Sequence, residues 1–168
     1  PLSVGLERAA KLHEPMSFAS HILVPTDFSQ ASQLAVDAAA TLGRELGAKI
    51  TLVHVHDPDA LRPPATIGWT EERQASVEKE IERSIEHAFG ELKKARLDGV
   101  EVADTVILHD PSAAHAICAY AEKIGADLIV IATHGRTGLK HLLIGSVAER
   151  VVRHSRVPVL TLRSTARD

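Results

Sequence analysis

The sequence predicts an α/β fold: an open five-stranded parallel sheet sandwiched by helices. From His21 onward, short β-branched runs alternate with longer segments of helical period, the pattern of repeated βα units. The run Leu128 to Ala132 is apolar at nearly every position, as a parallel strand buried on both faces requires. At 168 residues the chain has the length of one ordinary domain, enough to bury a core without disulfides or metals.

His21 to Pro25 reads as the first strand. Ser29 to Leu46 follows as a helix, with Leu34, Ala38, Leu42 and Leu46 on one stripe and Gly47 as its stop. Lys49 to His56 is the second strand. Asp57 to Gly68 holds three prolines and no periodic pattern, so it is expected to be a loop and a candidate cover for a ligand. Thr70 to Leu97 forms a long amphipathic helix in which Ile81, Ile85, Ala88, Leu92 and Ala95 share a face. Glu101 to Leu108 is the third strand, Ser112 to Ile124 a helix stopped by Gly125, Leu128 to Ala132 the fourth strand, Ser146 to His154 the fourth helix, and Val157 to Leu162 the last strand. Residues 1–17, which begin at proline and mix charged with apolar side chains, read as an N-terminal extension to a domain over 18–168.

The composition, 45% hydrophobic and 24% charged, is that of a globular chain and not of a disordered one. A net charge of -3 supplies no basic field for a nucleic-acid backbone, and aromatics at 3% leave few platforms for bases, so nucleic acid is not an expected partner. No apolar run reaches the roughly 18 residues of a membrane span, and no signal-peptide core is visible, so a cytoplasmic location is expected. The one cysteine, Cys118, lies in a helical pattern and reads as a buried structural thiol.

The densest chemistry lies between Ile131 and Ser146. Here a strand breaks into Thr133-His134-Gly135-Arg136-Thr137-Gly138 and a helix begins at Gly145-Ser146. Glycine backbone, the cations Arg136 and Lys140, and amides at a helix start suit an anion such as phosphate. Open parallel sheets bind ligands outside the carboxyl ends of their strands where strand order reverses, which makes Pro25-Thr26-Asp27 the opposite wall of the same site. Asp27 can accept from a ribose or a base amine, or cap the first helix with Ser29; both roles are compatible. His134 reads equally as a phosphate neighbour or as a turn-stabilising partner. The first βα turn contains no glycine and no Gly-Lys-Ser/Thr motif occurs, which excludes the dinucleotide fingerprint and the P-loop. His54 and His56 share a strand face, yet no third ligand is specified, so no metal site is expected. No nucleophile, base and orienting group can be assembled, so no catalytic residue is expected.

Ile22-Leu23-Val24-Pro25-Thr26-Asp27-Phe28-Ser29, Leu52-Val53-His54-Val55, Ala126-Asp127-Leu128-Ile129-Val130 and the run Thr133 to Gly138 continued by Leu142 to Arg150 together resemble the universal stress protein family, over about His21 to Arg163. The resemblance implies a Rossmann-like, adenine nucleotide alpha hydrolase-like fold. It further implies an ATP (or ADP or AMP) site, with or without magnesium: Pro25, Thr26, Asp27 and Val55 around the adenosine, Ile131 and Ala132 beneath it, and Gly135, Arg136, Gly138, Gly145, Ser146 and Val147 at the phosphates. The nucleotide-binding pattern of that family, Gly-x2-Gly-x9-Gly-Ser/Thr, is met here by Gly135, Gly145 and Ser146, with Ala132 in place of the first glycine. His109 stands where relatives commonly have glycine; its side chain either narrows the neighbouring cleft or points to solvent. The resemblance also implies a homodimer through the final strand, Val157 to Leu162. Three functions follow as expectations: a nucleotide-binding stress-response regulator, a slow magnesium-dependent ATPase or nucleotidyl or phosphoryl transferase, and a dimeric interaction module that has lost nucleotide.

Overall fold

The computed structural model describes residues 19–59, 70–133 and 145–163. Five strands, β1 (His21–Pro25), β2 (Lys49–His56), β3 (Val102–His109), β4 (Leu128–Ala132) and β5 (Val159–Leu162), form one parallel sheet in the order β3-β2-β1-β4-β5. Helices α1 (Gln30–Leu46), α2 (Glu71–Arg96), α3 (Ala113–Lys123) and α4 (Ser146–His154) connect them. The chain winds outward from β1 to β3, then jumps back past β1 to β4 and β5, so strand order reverses between β1 and β4.

Alternation along the strands decides which helices lie where. Ile22, Val24, Ile50, Leu52, Leu128 and Val130 face α1 and α2, packing on Ala35, Val36, Ala39, Ile85 and Phe89. Leu23, Val53, Ile129 and Ile131 face the other way onto Ala114, Ile117 and Ala121 of α3 and Ala148 and Val151 of α4. Burial of each such aliphatic side chain stabilises the fold by about 1.5–3 kcal/mol before chain entropy is counted.

Two helix faces differ from the sequence expectation. On α1 the buried residues are Ser32, Ala35, Val36, Ala39, Ala40 and Gly43, while Leu34 and Leu46 are exposed. Small side chains let α1 lie close to the sheet: a Cβ at Gly43 would come within 2.8 Å of Val100 Cγ1 and 3.1 Å of the Ala48 carbonyl oxygen. On α2 Phe89 is buried with Ile85 and Leu92, and Ala95 is exposed. The ends follow local chemistry. Ser29 accepts from Ser32 N at the start of α1 and Gly47 closes it at φ 65, while Thr70 accepts from Arg73 N at the start of α2. The last strand begins at Val159, two residues later than expected, with Pro158 just outside it. Cys118 is half-buried on α3, and burial together with Glu122 pushes its thiol up, away from the reactive thiolate.

Candidate functional site

A cavity of about 320 Å³ opens at the carboxyl ends of β1 and β4, where the strand order reverses. That volume lies at the lower end of the range of small-molecule sites. Every site residue expected from sequence that falls among the described residues lines it: Pro25, Thr26 and Asp27 after β1, Val55 on β2, Ile131 and Ala132 on β4, and Gly145, Ser146 and Val147 at the start of α4. Gly135, Arg136 and Gly138, with His134 and Lys140, lie outside the described residues, as does most of the loop from Asp57 to Gly68.

The base of the glycine loop is held firmly. Thr133 donates from its backbone N–H (2.8 Å) and its hydroxyl (3.1 Å) to the Leu162 carbonyl, which ties it to the end of β5. The Thr133 carbonyl in turn accepts from Gly145 N–H, which joins the end of β4 to the start of α4. Gly145 caps α4 without a side chain, and Ser146 and Val147, the first residues of that helix, face the cavity. Helix-start amides put partial positive charge there.

Across the cavity the Pro25-Thr26-Asp27-Phe28 turn is built by hydrogen bonds. Thr26 N–H donates to the Val53 carbonyl (2.8 Å), and Thr26 Oγ1 accepts from Phe28 N–H (3.0 Å) and lies 3.0 Å from Ser32 Oγ. Phe28 takes the left-handed conformation at φ 63, alone among the described non-glycine residues, and is held by stacking on His54 and an edge contact with Phe89. Asp27 Oδ1 accepts from Ser29 N–H (3.1 Å) and Ser29 Oγ (2.5 Å), so the capping role is present. His54 Nδ1 donates to the Thr26 carbonyl at 2.8 Å, which places its proton on that nitrogen.

The departures can now be placed. Ala132 keeps ordinary strand backbone, paired with Leu162, and adopts no positive φ. The residue lines the cavity, but its methyl packs against the α1/α2 side of the core, on the face opposite Ile131, and alanine there has no conformational cost. His109 does not line the cavity; its ring lies against Glu78 and Glu82 of α2. Nor do His54 and His56 share a site, because His54 joins the β1 turn while His56 Nε2 lies 3.1 Å from Glu78 Oε1. Residues that sequence reasoning did not assign to the site include Ala113 and Ile117 of α3, Val53, Thr133 and Ala148, which complete an apolar floor. A face-by-face reading of β2 and α3 could have found Val53 and Ile117, since both alternate onto the α3 side of the sheet.

Comparison with known proteins agrees with this fold. The model of the Universal stress protein family matches residues 19–163. Universal stress protein MJ0531 of Methanocaldococcus jannaschii is 32% identical over 149 residues, covering 88% of this chain and 84% of its own. The solved structure of MJ0577 from the same organism superimposes with a TM-score of 0.74 at 28% identity, over 88% of this chain and 98% of that one. The universal stress protein from Archaeoglobus fulgidus in complex with dAMP shares the fold, with a TM-score of 0.56 at 22% identity, over 83% of this chain and 94% of that one.

Proposed function

This chain belongs to the universal stress protein family, and on that premise we propose that it binds an adenine nucleotide, ATP before ADP or AMP, and acts as a stress-response regulator through occupancy of the site. The observation that carries this reading is the cavity at the β1/β4 switch point, with a carboxylate on one rim and a helix start on the other. Its wall chemistry suits a nucleoside: Pro25, Val55, Ile117 and Ile131 form an aliphatic slot for a flat base without an aromatic partner. Asp27 accepts from a ribose hydroxyl or the base amine. The α4 amides at Ser146 and Val147, with Gly145 and the loop residues Gly135, Arg136 and Gly138, take the phosphates. Any magnesium rides on the phosphates. An adenylate on the same fold in the Archaeoglobus fulgidus protein makes adenine nucleotides the first ligands to test.

Calorimetric titration of the purified protein with ATP, ADP and AMP, with and without magnesium, tests the reading. Saturable binding of ATP, weakened in Ser146→Ala and abolished in Gly145→Trp, is the expected result. No measurable affinity at millimolar nucleotide with magnesium overturns it. Hydrolysis above background that disappears in the same variants would move the protein to the ATPase or transferase class.

A second feature favours self-association as part of the same proposal. Among the described residues β5 pairs with β4 on one side only and forms an edge of the sheet, with Leu160 exposed. An apolar edge strand invites a twofold mate. A homodimer through Val157 to Leu162 is expected in sedimentation, and Leu160→Lys should shift it to monomer.

A further inference from the structure

At the far side of the sheet from α4's start, the carboxyl ends of β2 and β3 meet the first half of α2, and a second group of polar side chains gathers there. His56 and His109 are direct cross-strand partners in the β2/β3 register, with ring centroids 5.9 Å apart. Above them stand Glu78 and Glu82, one helical turn apart on α2. Glu78 Oε1 lies 3.1 Å from His56 Nε2 and 3.7 Å from His109 Nδ1, and Glu82 Oε1 lies 3.4 Å from His109 Nε2. Ligand atoms of Glu78, Glu82 and His109 all fall within 4.8 Å of one another.

Two physical problems coincide at this spot. His56 Nε2 is buried, its side chain 11% exposed, and it has no hydrogen-bond partner among the described residues; the nearby Glu78 oxygen is close but misaligned. Two carboxylates at i and i+4 on one helix repel each other, and among the described residues no lysine or arginine pairs with either. A cation bound between Glu78, Glu82 and His109 answers the second directly, by neutralising the carboxylates beside which the His56 ring is buried. The spacing agrees. Ligands on a tetrahedral ion with bonds of about 2.1 Å sit about 3.4 Å apart; His109 Nε2 lies 3.4 Å from Glu82 Oε1, and one ligand atom each of Glu78, Glu82 and His109 falls within 4.8 Å of the others. None of the four residues lines the cavity at the β1/β4 switch point, so this site stands apart from the nucleotide reading and does not depend on it.

We propose that His109, Glu78 and Glu82 form a binding site for a divalent transition-metal ion, with zinc the cation best suited to one imidazole and two carboxylates with a fourth position open to water. His56, 3.1 Å from Glu78 Oε1, backs that carboxylate from the buried side. His109 and Glu82, each 41% exposed at the side chain, leave the site open enough for the ion to enter from solvent. Because the ligands come from the edge strand β3 and the helix laid over it, a bound ion pins the first half of α2 to the sheet, beyond the reach of its apolar contacts at Ile85, Phe89 and Leu92.

The test uses untagged protein stripped with chelator and titrated calorimetrically with zinc chloride in the absence of nucleotide. One equivalent is expected to bind, with thermal unfolding moved upward by the ion. His109→Ala and Glu78→Gln should each weaken binding at least about tenfold, and His154→Ala, at the exposed end of α4, should leave it unchanged. In long-range proton–nitrogen spectra, zinc should displace the ring-nitrogen signals of His109 while those of His54 stay in place. Should His109→Ala fail to fold, the same spectra on the wild type together with Glu82→Gln decide the matter. Absence of stoichiometric zinc binding, or binding that leaves the His109 nitrogens unmoved, overturns the proposal and leaves the group a histidine–glutamate ion-pair cluster.

Discussion

Asp27 shows how one residue serves both structure and site. Its Oδ1 accepts from the backbone and side chain of Ser29, which itself caps α1, so the carboxylate fixes the turn that forms one rim of the cavity. Removal of the acceptor should cost about 1 kcal/mol, as loss of a helix-start hydrogen bond usually does. Asp27→Ala is therefore expected to lower the urea midpoint. Asp27→Asn, which keeps an oxygen at the same place and removes only the charge, should unfold close to the wild type. If the nucleotide reading holds, both variants lose affinity for ATP, and Asp27→Asn isolates the part of that loss that belongs to the ligand. Equal stability of the alanine variant and the wild type would show that the Asp27–Ser29 contact carries nothing. The double role was visible from the sequence, because Asp and Ser directly after a strand and before a helix are cap chemistry whatever else they do. The left-handed Phe28 between them was not, since a positive φ at a bulky aromatic follows from its three neighbours, Thr26, His54 and Phe89, and two of those are distant in sequence.

At the scale of elements, α1 carries the clearest lesson. Glycine inside a helix is ordinarily a weakness, and replacing it by alanine gains up to about 1 kcal/mol. Gly43 is the exception, because its missing Cβ is where the helix touches Val100 and the Ala48 carbonyl. Gly43→Ala should destabilise the protein by about 1 kcal/mol or more, since the clash involves backbone and a stiff β-branched side chain; a chemical denaturation midpoint equal to or above wild type would refute this. The same close approach explains why the leucine stripe is only half right, Ala38 and Leu42 packing against the core while Leu34 and Leu46 are exposed. Leu34, Ala38, Leu42 and Leu46 have the right period, but Ala35, Ala39, Ala40 and Gly43 have it too, and against a flat sheet the smaller stripe packs tighter. Strand positions and the switch-point location were legible because alternation and turn chemistry are local. The placement of Glu78 and Glu82 over His56 and His109 was not, since the rotation and slide of α2 on the sheet are set by Ile85, Phe89 and Leu92 finding their holes. His54 and His56 looked like a pair in the sequence, and the third dimension separates them.

For the whole molecule, the central seam between β1 and β4 is where acid is expected to act first. Only two register pairs join those strands, Ile22 with Leu128 and Leu23 with Ile129. Asp127 adds to the seam, its Oδ2 accepting from Ser20 Oγ (2.6 Å), Ser20 N–H (2.9 Å) and His21 N–H (3.0 Å). Those donors, the Ser20 hydroxyl first, hold the Asp127 carboxyl below its ordinary value. Beside it, the buried ring of His21 lies 2.8 Å from Thr51 Oγ1, and burial first, then Lys49, lower its pKa from the ordinary 6.5. Both shifts act in one direction. A histidine whose folded pKa is depressed stays neutral while the unfolded chain takes up a proton, so stability falls as pH drops through 6.5 towards the lowered folded value. The depressed carboxylate contributes stability above its unfolded value of 3.8, and that share is lost as pH falls through its folded value. Urea midpoints should therefore decline in two windows, the first in the histidine range and the second below the carboxylate range. His21→Gln removes the titrating ring while keeping a polar side chain near Thr51, and it should be less stable at neutral pH but flatter between neutrality and the carboxylate range. A His21→Gln profile parallel to the wild type would assign the first window to some other histidine. A flattened one would place the acid response of the fold at the seam that also positions Asp27 and Ala132 on opposite walls of the cavity, so that loss of the seam and loss of the site occur together.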